Sequence, residues 1–331
     1  MNNFLLVVVV AVGLGFDFTN GFHDTANYVA TWVGTRALSP RIAVAVSAAA
    51  NLAGAFVTTA VAKTVGKGLI DTGLATEKTV LAALLGAIAW NLATWWLGLP
   101  SSSTHALIGG LLGAALVQSG SSGVQWHGVW EKVIVPGAFS PLIGFFGAFL
   151  LMIVIYRVFF GLSPGVAHRG FRYGQLVSGT WVAFTHGAND AQKTMGVIAL
   201  ALVANGNMSP DDFHIPTWVK ISAGLTIAAG TYAGGWRIIR TLGQRIYKMQ
   251  PEHGFAAQLA AGSTLYAGTH FGFPISTTHV VTGAVMGAGA TRRLSAVRWG
   301  IAGNIAFAWL LTLPAAGLVS GALYYPVSWV F

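Results

Sequence analysis

Ten stretches of this chain are apolar over roughly the length that crosses a lipid bilayer, at about residues 3–33, 42–61, 78–97, 101–119, 129–157, 175–204, 217–236, 254–270, 273–290 and 299–325. A hydrocarbon core of about 30 Å takes roughly 20 apolar residues per helix, and a run such as Ile42 to Val61 lacks the alternation a membrane β-barrel strand needs. Only 8% of the 331 residues carry a fixed charge, against about a quarter in a soluble domain. The sequence therefore describes an all-α, polytopic membrane protein. It excludes a soluble enzyme, a nucleic-acid-binding domain inferred from the pI of 10.0, and a disordered tail.

The absence of cysteine removes disulfides, thiolate catalysis and thiolate metal sites. The first Lys or Arg is Arg36, so the amino-terminal run lacks the basic flank of a cleaved signal and reads as a retained helix. If every segment crosses and the amino terminus is outside, Arg36, Arg41, Arg157, Arg169, Arg172, Arg237, Arg240, Arg245, Lys248, Arg292, Arg293 and Arg298 fall on inside connections. Lys63, Lys67, Lys78, Lys132 and Lys220 fall outside. Excess basic charge on inside loops predicts a multi-pass protein of the plasma membrane with both termini outside. The apolar parts Ala106 to Val117 and Val280 to Ala290 are short for crossings, and re-entrant hairpins are the alternative. That alternative asks for a crossing hidden elsewhere, in the segment interrupted by Pro136 and Pro141.

Two halves repeat. Phe18-Thr19-Asn20-Gly21-Phe22-His23-Asp24-Thr25-Ala26-Asn27 matches Phe184-Thr185-His186-Gly187-Ala188-Asn189-Asp190-Ala191-Gln192-Lys193, and Pro100-Ser101-Ser102-Ser103-Thr104-His105 matches Pro274-Ile275-Ser276-Thr277-Thr278-His279. Gly109 and Gly113 correspond to Gly283 and Gly287, so the second pair extends into the helices that follow. The units are residues 1–160 and 175–331, joined by a polar cytoplasmic connection at 161–174. Five segments per half is an odd number, which inverts the second copy. Inverted repeats place a substrate site near the midplane, between discontinuous helices, and alternate its access by moving one part against another.

The first motif pair puts charge where charge is expensive. Asp17, Asp24, Asp190 and Lys193 lie in apolar segments, and at about 2.5–3.5 kcal/mol each on the insertion scale they would cost roughly 10–14 kcal/mol before pairing and hydration. Asp190 and Lys193, three apart, could simply neutralise each other. Asp24 could cap a half-helix restarted after Gly21. Asn20-Gly21 and His186-Gly187 are helix-breaking signals, so an interruption is expected at each. His23, beside Asp24, has the chemistry of a proton exchanger; His186 is a weaker candidate.

The second pair reads as an anion cradle. Each proline precedes a helix start whose cap and first turn hold Ser102, Ser103 and Thr104 or Ser276, Thr277 and Thr278. Free backbone N–H groups, hydroxyls and the positive end of the helix dipole converge there. Capping alone would explain one such cluster; two matched clusters beside two matched Asp motifs point to a tetrahedral oxyanion. His105 and His279 read as packing residues.

Together these residues resemble the inorganic phosphate transporter (PiT) family. Gly-Phe-His-Asp-Thr-Ala-Asn (21–27) and Gly-Ala-Asn-Asp-Ala-Gln-Lys (187–193) are similar to its paired Gly-Ala-Asn-Asp signatures, and the two Ser/Thr hairpins match it in order along the whole chain. The resemblance implies phosphate binding at Ser102, Ser103, Thr104, Ser276, Thr277 and Thr278, with Asp24, Asn27, Asn189 and Asp190 as ligands or coupling-ion residues. Sodium-coupled members carry Asn where His23 and Lys193 stand here. A fixed ammonium in place of an oxygen ligand disfavours a Na⁺ site. The variants resemble the bacterial low-affinity members, which the resemblance implies are proton-coupled and take phosphate partly as a neutral metal–phosphate complex.

The sequence thus predicts a secondary transporter importing inorganic phosphate by symport with protons, without enzymatic activity, resident cofactor or resident metal. Mg²⁺ or another divalent ion accompanying phosphate fits this reading. Asp24, Asp190, His23 and Asp17 are the expected coupling groups, and Asn27, Asn189 and Lys193 join the hydroxyls as expected substrate ligands. The expected partners are phosphate, a coupling cation and the bilayer, with no nucleic acid; a homo-oligomer is compatible. Sulfate symport, Na⁺ coupling and an anion channel are the rival readings. An intramembrane hydrolase built on Ser103 and His105 fails because residues two apart on a helix point to different sides.

Overall fold

The computed structural model describes residues 3–240 and 249–331; Arg245 and Lys248 lie outside the described residues. The helices are α1 (Asn3–Asp24), α2 (Ala26–Gly34), α3 (Pro40–Gly54), α4 (Ala60–Lys67), α5 (Glu77–Leu97), α6 (Ser103–Ser119), α7 (Trp126–Val129), α8 (Val135–Val158), α9 (Pro164–Ala204), α10 (Thr217–Ala233), α11 (Trp236–Arg240), α12 (Pro251–His270), α13 (Thr277–Ala290) and α14 (Trp299–Val330). Among the described residues no strand forms beyond one isolated bridge between Ile70 and Val124. Among the described residues, four helical stretches are long and apolar enough to cross a membrane by length and composition: Asn3–Gly34, Glu77–Leu97, Trp126–Val158 and Trp299–Val330.

The repeat is visible in element order. By the sequence offsets, α1–α2 corresponds to α9, α3–α4 to α10–α11, α5–α6 to α12–α13, and α8 to α14. Helices α5 and α6 form a hairpin whose open end lies with the carboxy terminus: Lys78 Nζ donates to the Ser328 carbonyl at 3.4 Å, and Gln118 Nε2 to the Leu74 carbonyl at 2.6 Å. Helices α12 and α13 form the matching hairpin from the other side. Its open end is held by Tyr156, whose hydroxyl lies 3.1 Å from His253 Nε2. The two tips touch, with Thr104 Oγ1 donating to the Ile275 carbonyl at 3.4 Å. Each tip turns on a left-handed glycine, Gly98 (φ 66°) and Gly272 (φ 72°), a conformation without steric cost only at glycine.

The arms of the first hairpin are 77–97 and 103–119. The helix from Trp126 to Val158 runs on through Pro136 and Pro141. A π-turn at Trp130–Ile134 widens the helix just before Pro136, easing the clash a proline makes with the preceding turn. Both termini lie at one end of the molecule, where the Phe4 and Phe331 rings are 6.2 Å apart.

The helix interruptions fall elsewhere than expected. Helix α9 is continuous through His186-Gly187, and α1 passes Asn20-Gly21 before a break in assignment at Thr25, whose backbone stays helical (φ −47°, ψ −34°). The genuine interruptions separate α3 from α4 and α10 from α11. The motif glycines serve close helix contact instead. A Cβ on Gly21 would lie 2.4 Å from the Ile227 carbonyl oxygen, and one on Gly187 2.1 Å from that of Asn51. Likewise the polar connection at 161–174 is mostly the first three turns of α9, which starts at Pro164 after an extended Ser163.

Packing interleaves the halves. Helix α1 crosses α10, and α9 crosses α3, at these glycine contacts; Gly109 and Gly113 of α6 lie on the Leu313 and Gly317 carbonyls of α14, and Gly283 and Gly287 of α13 on those of Pro141 and Phe145 of α8. The buried apolar residues form two groups, one including Ala191 to Val203 of α9 and the first hairpin, the other including Val182, Ala183 and the second hairpin. The polar turn Thr185–Asp190 divides them on α9, which sets the charged residues between two apolar walls.

Candidate functional site

Ser102 and Ser276 are extended N-cap residues whose hydroxyls accept from the His105 and His279 backbone N–H groups at 3.1 and 3.3 Å. Each of these hydroxyls accepts at the cap and keeps its own O–H to donate. The first-turn N–H groups of Ser103, Thr104, Thr277 and Thr278 have no partner within their own helices. Two helix N-termini, each with a positive dipole end, therefore meet at the touching tips.

Around them several contacts come in twofold-related pairs. Ser103 Oγ donates to Asp24 Oδ1 at 3.3 Å, and the equivalent Thr277 Oγ1 to Asp190 Oδ1 at 3.4 Å. Asn27 Nδ2 reaches the opposite hairpin at Thr278 Oγ1 (3.0 Å); its counterpart Lys193 donates through Nζ to Thr104 Oγ1, as well as to Asp190 Oδ1 (2.7 Å) and the Ile275 carbonyl (3.2 Å). Asn20 Nδ2 donates to the opposite half's Asp190 Oδ2 at 3.2 Å, and its counterpart His186 points Nε2 at Asp24 Oδ2, 3.8 Å away. His23 Nε2 lies 3.3 Å from Thr94 Oγ1, while its counterpart Asn189 donates to Thr269 Oγ1 at 2.9 Å.

The expected site residues therefore converge, apart from Asp17. Its Oδ1 accepts from Thr194 Oγ1 at 2.9 Å; among the described residues its Oδ2 has no hydrogen-bond partner and it bonds neither hairpin. Asp17, Asp24, Asp190, Lys193, His23 and His186 are at most 2% exposed. At that burial, ionised side chains persist only when paired. His23 Nδ1 lies 2.8 Å from Asp24 Oδ1, and Lys193 pairs with Asp190, so the neutralisation expected from their spacing is present while the ammonium also spans both hairpins.

His186 is the residue sequence reasoning underrated. Its Nδ1 donates to Asn51 Oδ1 at 2.6 Å, which leaves Nε2 without a hydrogen-bond partner, 3.6 Å from Asp190 Oδ2. Asp24, His186 and Asp190 offer one N and two O donor atoms all within 4.8 Å of one another, a set that could hold a metal ion. Asn20, Thr94 and Thr269 were missed. Asn20 could have been found from the repeat, since it aligns with His186; Thr94 and Thr269 stand outside the motifs and carry no signal. His105 and His279 pack ring to ring at 4.7 Å beside the tips, and His279 stacks on Trp309 at 4.1 Å.

Comparison with known proteins places this geometry. A profile described as the phosphate transporter family matches residues 20–168 and again 162–320, once for each half. A protein of Mycobacterium tuberculosis named "Probable low-affinity inorganic phosphate transporter" is 50% identical over 325 residues, 97% of this chain and 77% of its own length. Proteins of the same name from Rhizobium meliloti and Bacillus subtilis are 48% and 40% identical, covering 97% and 99% of this chain and 96% and 98% of their own lengths. A solved structure described as "The sodium-dependent phosphate transporter" superposes with a TM-score of 0.91 at 25% identity, covering 99% of this chain and all of that one. The double match to one profile, the likeness along nearly the full length and the twofold site agree, and the chain belongs to the phosphate transporter family.

Proposed function

We propose that this chain imports inorganic phosphate across the plasma membrane as a multi-pass secondary transporter, by symport with protons and without a chemical step. The observation that carries the reading is the meeting of two helix N-termini, each with a serine or threonine first turn, above one aspartate from each half. Phosphate is a tetrahedral oxyanion whose oxygens accept from such N–H and hydroxyl donors. In this reading Ser103, Thr104, Thr277 and Thr278 face the substrate, Lys193 balances its charge, and Asn27 and Asn189 hold the tips. Asn189 spends its amide N–H groups on Thr269 and the Phe273 carbonyl.

Protons solve an electrostatic problem. Each net negative charge moved inward against an inside-negative potential costs about 2.3 kcal/mol per 100 mV. Because Nδ1 of His186 is committed to Asn51, Nε2 is the atom that gains or loses a proton, and it faces a carboxylate of each half. His23 and Asp24 form a second exchanging pair, while Asp17 stands one step behind through Thr194. A divalent ion entering with phosphate would meet the same Asp24, His186 and Asp190 donors as cargo. Sodium coupling is the second reading, favoured by the sodium dependence of the structural neighbour; the buried Lys193 ammonium opposes it. The excess of basic residues on the connections assigned to the inside supports both termini facing out.

Labelled phosphate uptake into proteoliposomes tests the substrate. Arsenate, the closest tetrahedral analogue, is expected to compete, and sulfate to compete weakly. Equal competition by sulfate would overturn the phosphate reading.

A further inference from the structure

Positions 27 and 193 are the same place in the two repeats, and each reaches across to the same threonine of the opposite hairpin, Thr278 or Thr104. In the first copy a neutral amide makes that contact. The architecture therefore does not require a charge there, and the ammonium of Lys193 is an addition.

Its surroundings have the form of a cation cage. Nζ is fully buried and donates to a carboxylate oxygen of α9, a hydroxyl of α6 and a main-chain carbonyl at the second tip, Asp190 Oδ1, Thr104 Oγ1 and Ile275 O. Three oxygens from three elements, one of them charged, are ligands that a free monovalent cation would use as readily as an ammonium. The Ile275 carbonyl in particular also accepts from Thr104, so this oxygen already lies between the tips. We propose that Lys193 is a tethered cation filling a latent monovalent-cation site, and that this fixed charge does the work a dissociable cation would do in joining the two hairpins over Asp190. The inference rests on the transport reading above and adds to it a cation that never leaves.

Shortening the side chain should open the cage. Lys193→Ala is expected to lower phosphate uptake by about tenfold or more in choline medium, because an unpaired carboxylate is left buried. Methylammonium or Na⁺ added to both sides of the membrane should restore uptake saturably, whereas Lys193→Met, which fills the same space without charge, should stay inactive with either cation. Lys193→Asn, copying Asn27, serves where the alanine variant does not fold, and the thermal midpoint of either purified variant should rise with methylammonium or Na⁺ by ligand linkage. Wild-type uptake should be indifferent to both cations. Variants that keep wild-type uptake in choline, or that fold but respond to no cation in uptake or midpoint, would overturn the tethered-cation inference. Failure of wild-type protein to take up phosphate in the same vesicles would overturn the transport reading instead.

Discussion

The motif helix of the first half and that of the second occupy equivalent places and make equivalent bonds, yet they do not carry the same chemistry. In α1–α2 the four motif positions read Asn20, His23, Asp24 and Asn27; in α9 they read His186, Asn189, Asp190 and Lys193. Only the aspartate is shared. The other three exchange a neutral amide for a titratable or charged group in one copy: 27 and 193 both reach the opposite hairpin and 23 and 189 reach Thr94 and Thr269, while Asn20 bonds the opposite aspartate and His186 Nε2 sits between the two. Amides make the frame, and three substitutions load it asymmetrically with one histidine on the first side and a histidine and a lysine on the second. A twofold scaffold thus carries unequal chemistry in its two copies.

The sharpest break of the comparison is at the aspartates. Asp24→Asn and Asp190→Asn should each abolish net uptake, but Asp190→Asn strands a buried ammonium while Asp24→Asn does not. Losing one partner of a buried pair costs about 3–5 kcal/mol, so thermal unfolding in detergent should show a much larger loss for Asp190→Asn. Equal losses would mean that Lys193 does not depend on Asp190. Wild-type uptake in either variant would remove that residue from coupling.

The glycine crossings test the symmetry of the frame itself. Gly21→Ala and Gly187→Ala each push a methyl group into a carbonyl of the crossing helix, and both should destabilise by about 1–3 kcal/mol, as overpacking does. If only one is destabilised, the two crossings are not equivalent. Smaller still, Ser102→Ala and Ser276→Ala should each cost about 1 kcal/mol through the lost N-cap, with phosphate affinity less affected than in Ser103→Ala or Thr277→Ala. A larger affinity loss at the cap serines would put their hydroxyls on the substrate.

Much of this was legible in the sequence because the repeat constrains twice. Matched motifs located the hairpin starts and the buried charges, and set the two Ser/Thr clusters beside the two Asp motifs. What escaped had physical reasons. Gly21 and Gly187 were read as helix breakers, but a glycine that permits a close crossing and one that ends a helix look alike along a single chain. The α5 arm is as apolar as a crossing helix, so composition does not reveal that it folds back on α6. Periodicity reports that a face is buried and not by which partner, so the exchange of α1 onto α10 and α9 onto α3 was invisible. His186 lay within the motif; its weight comes from Asn51, which fixes the ring and stands far away in sequence.

Phosphate loads between the two hairpin tips, in the proposed mechanism, together with protons exchanged at Asp24, His186 and Asp190. Labelled phosphate flux into proteoliposomes, with pH, Na⁺ and Mg²⁺ gradients imposed one at a time, tests this most directly. Uptake should follow an inward proton gradient, collapse with a protonophore and ignore Na⁺, with Mg²⁺ altering the amount carried and not the requirement for protons. Uptake that followed the Na⁺ gradient and ignored the pH gradient would contradict it.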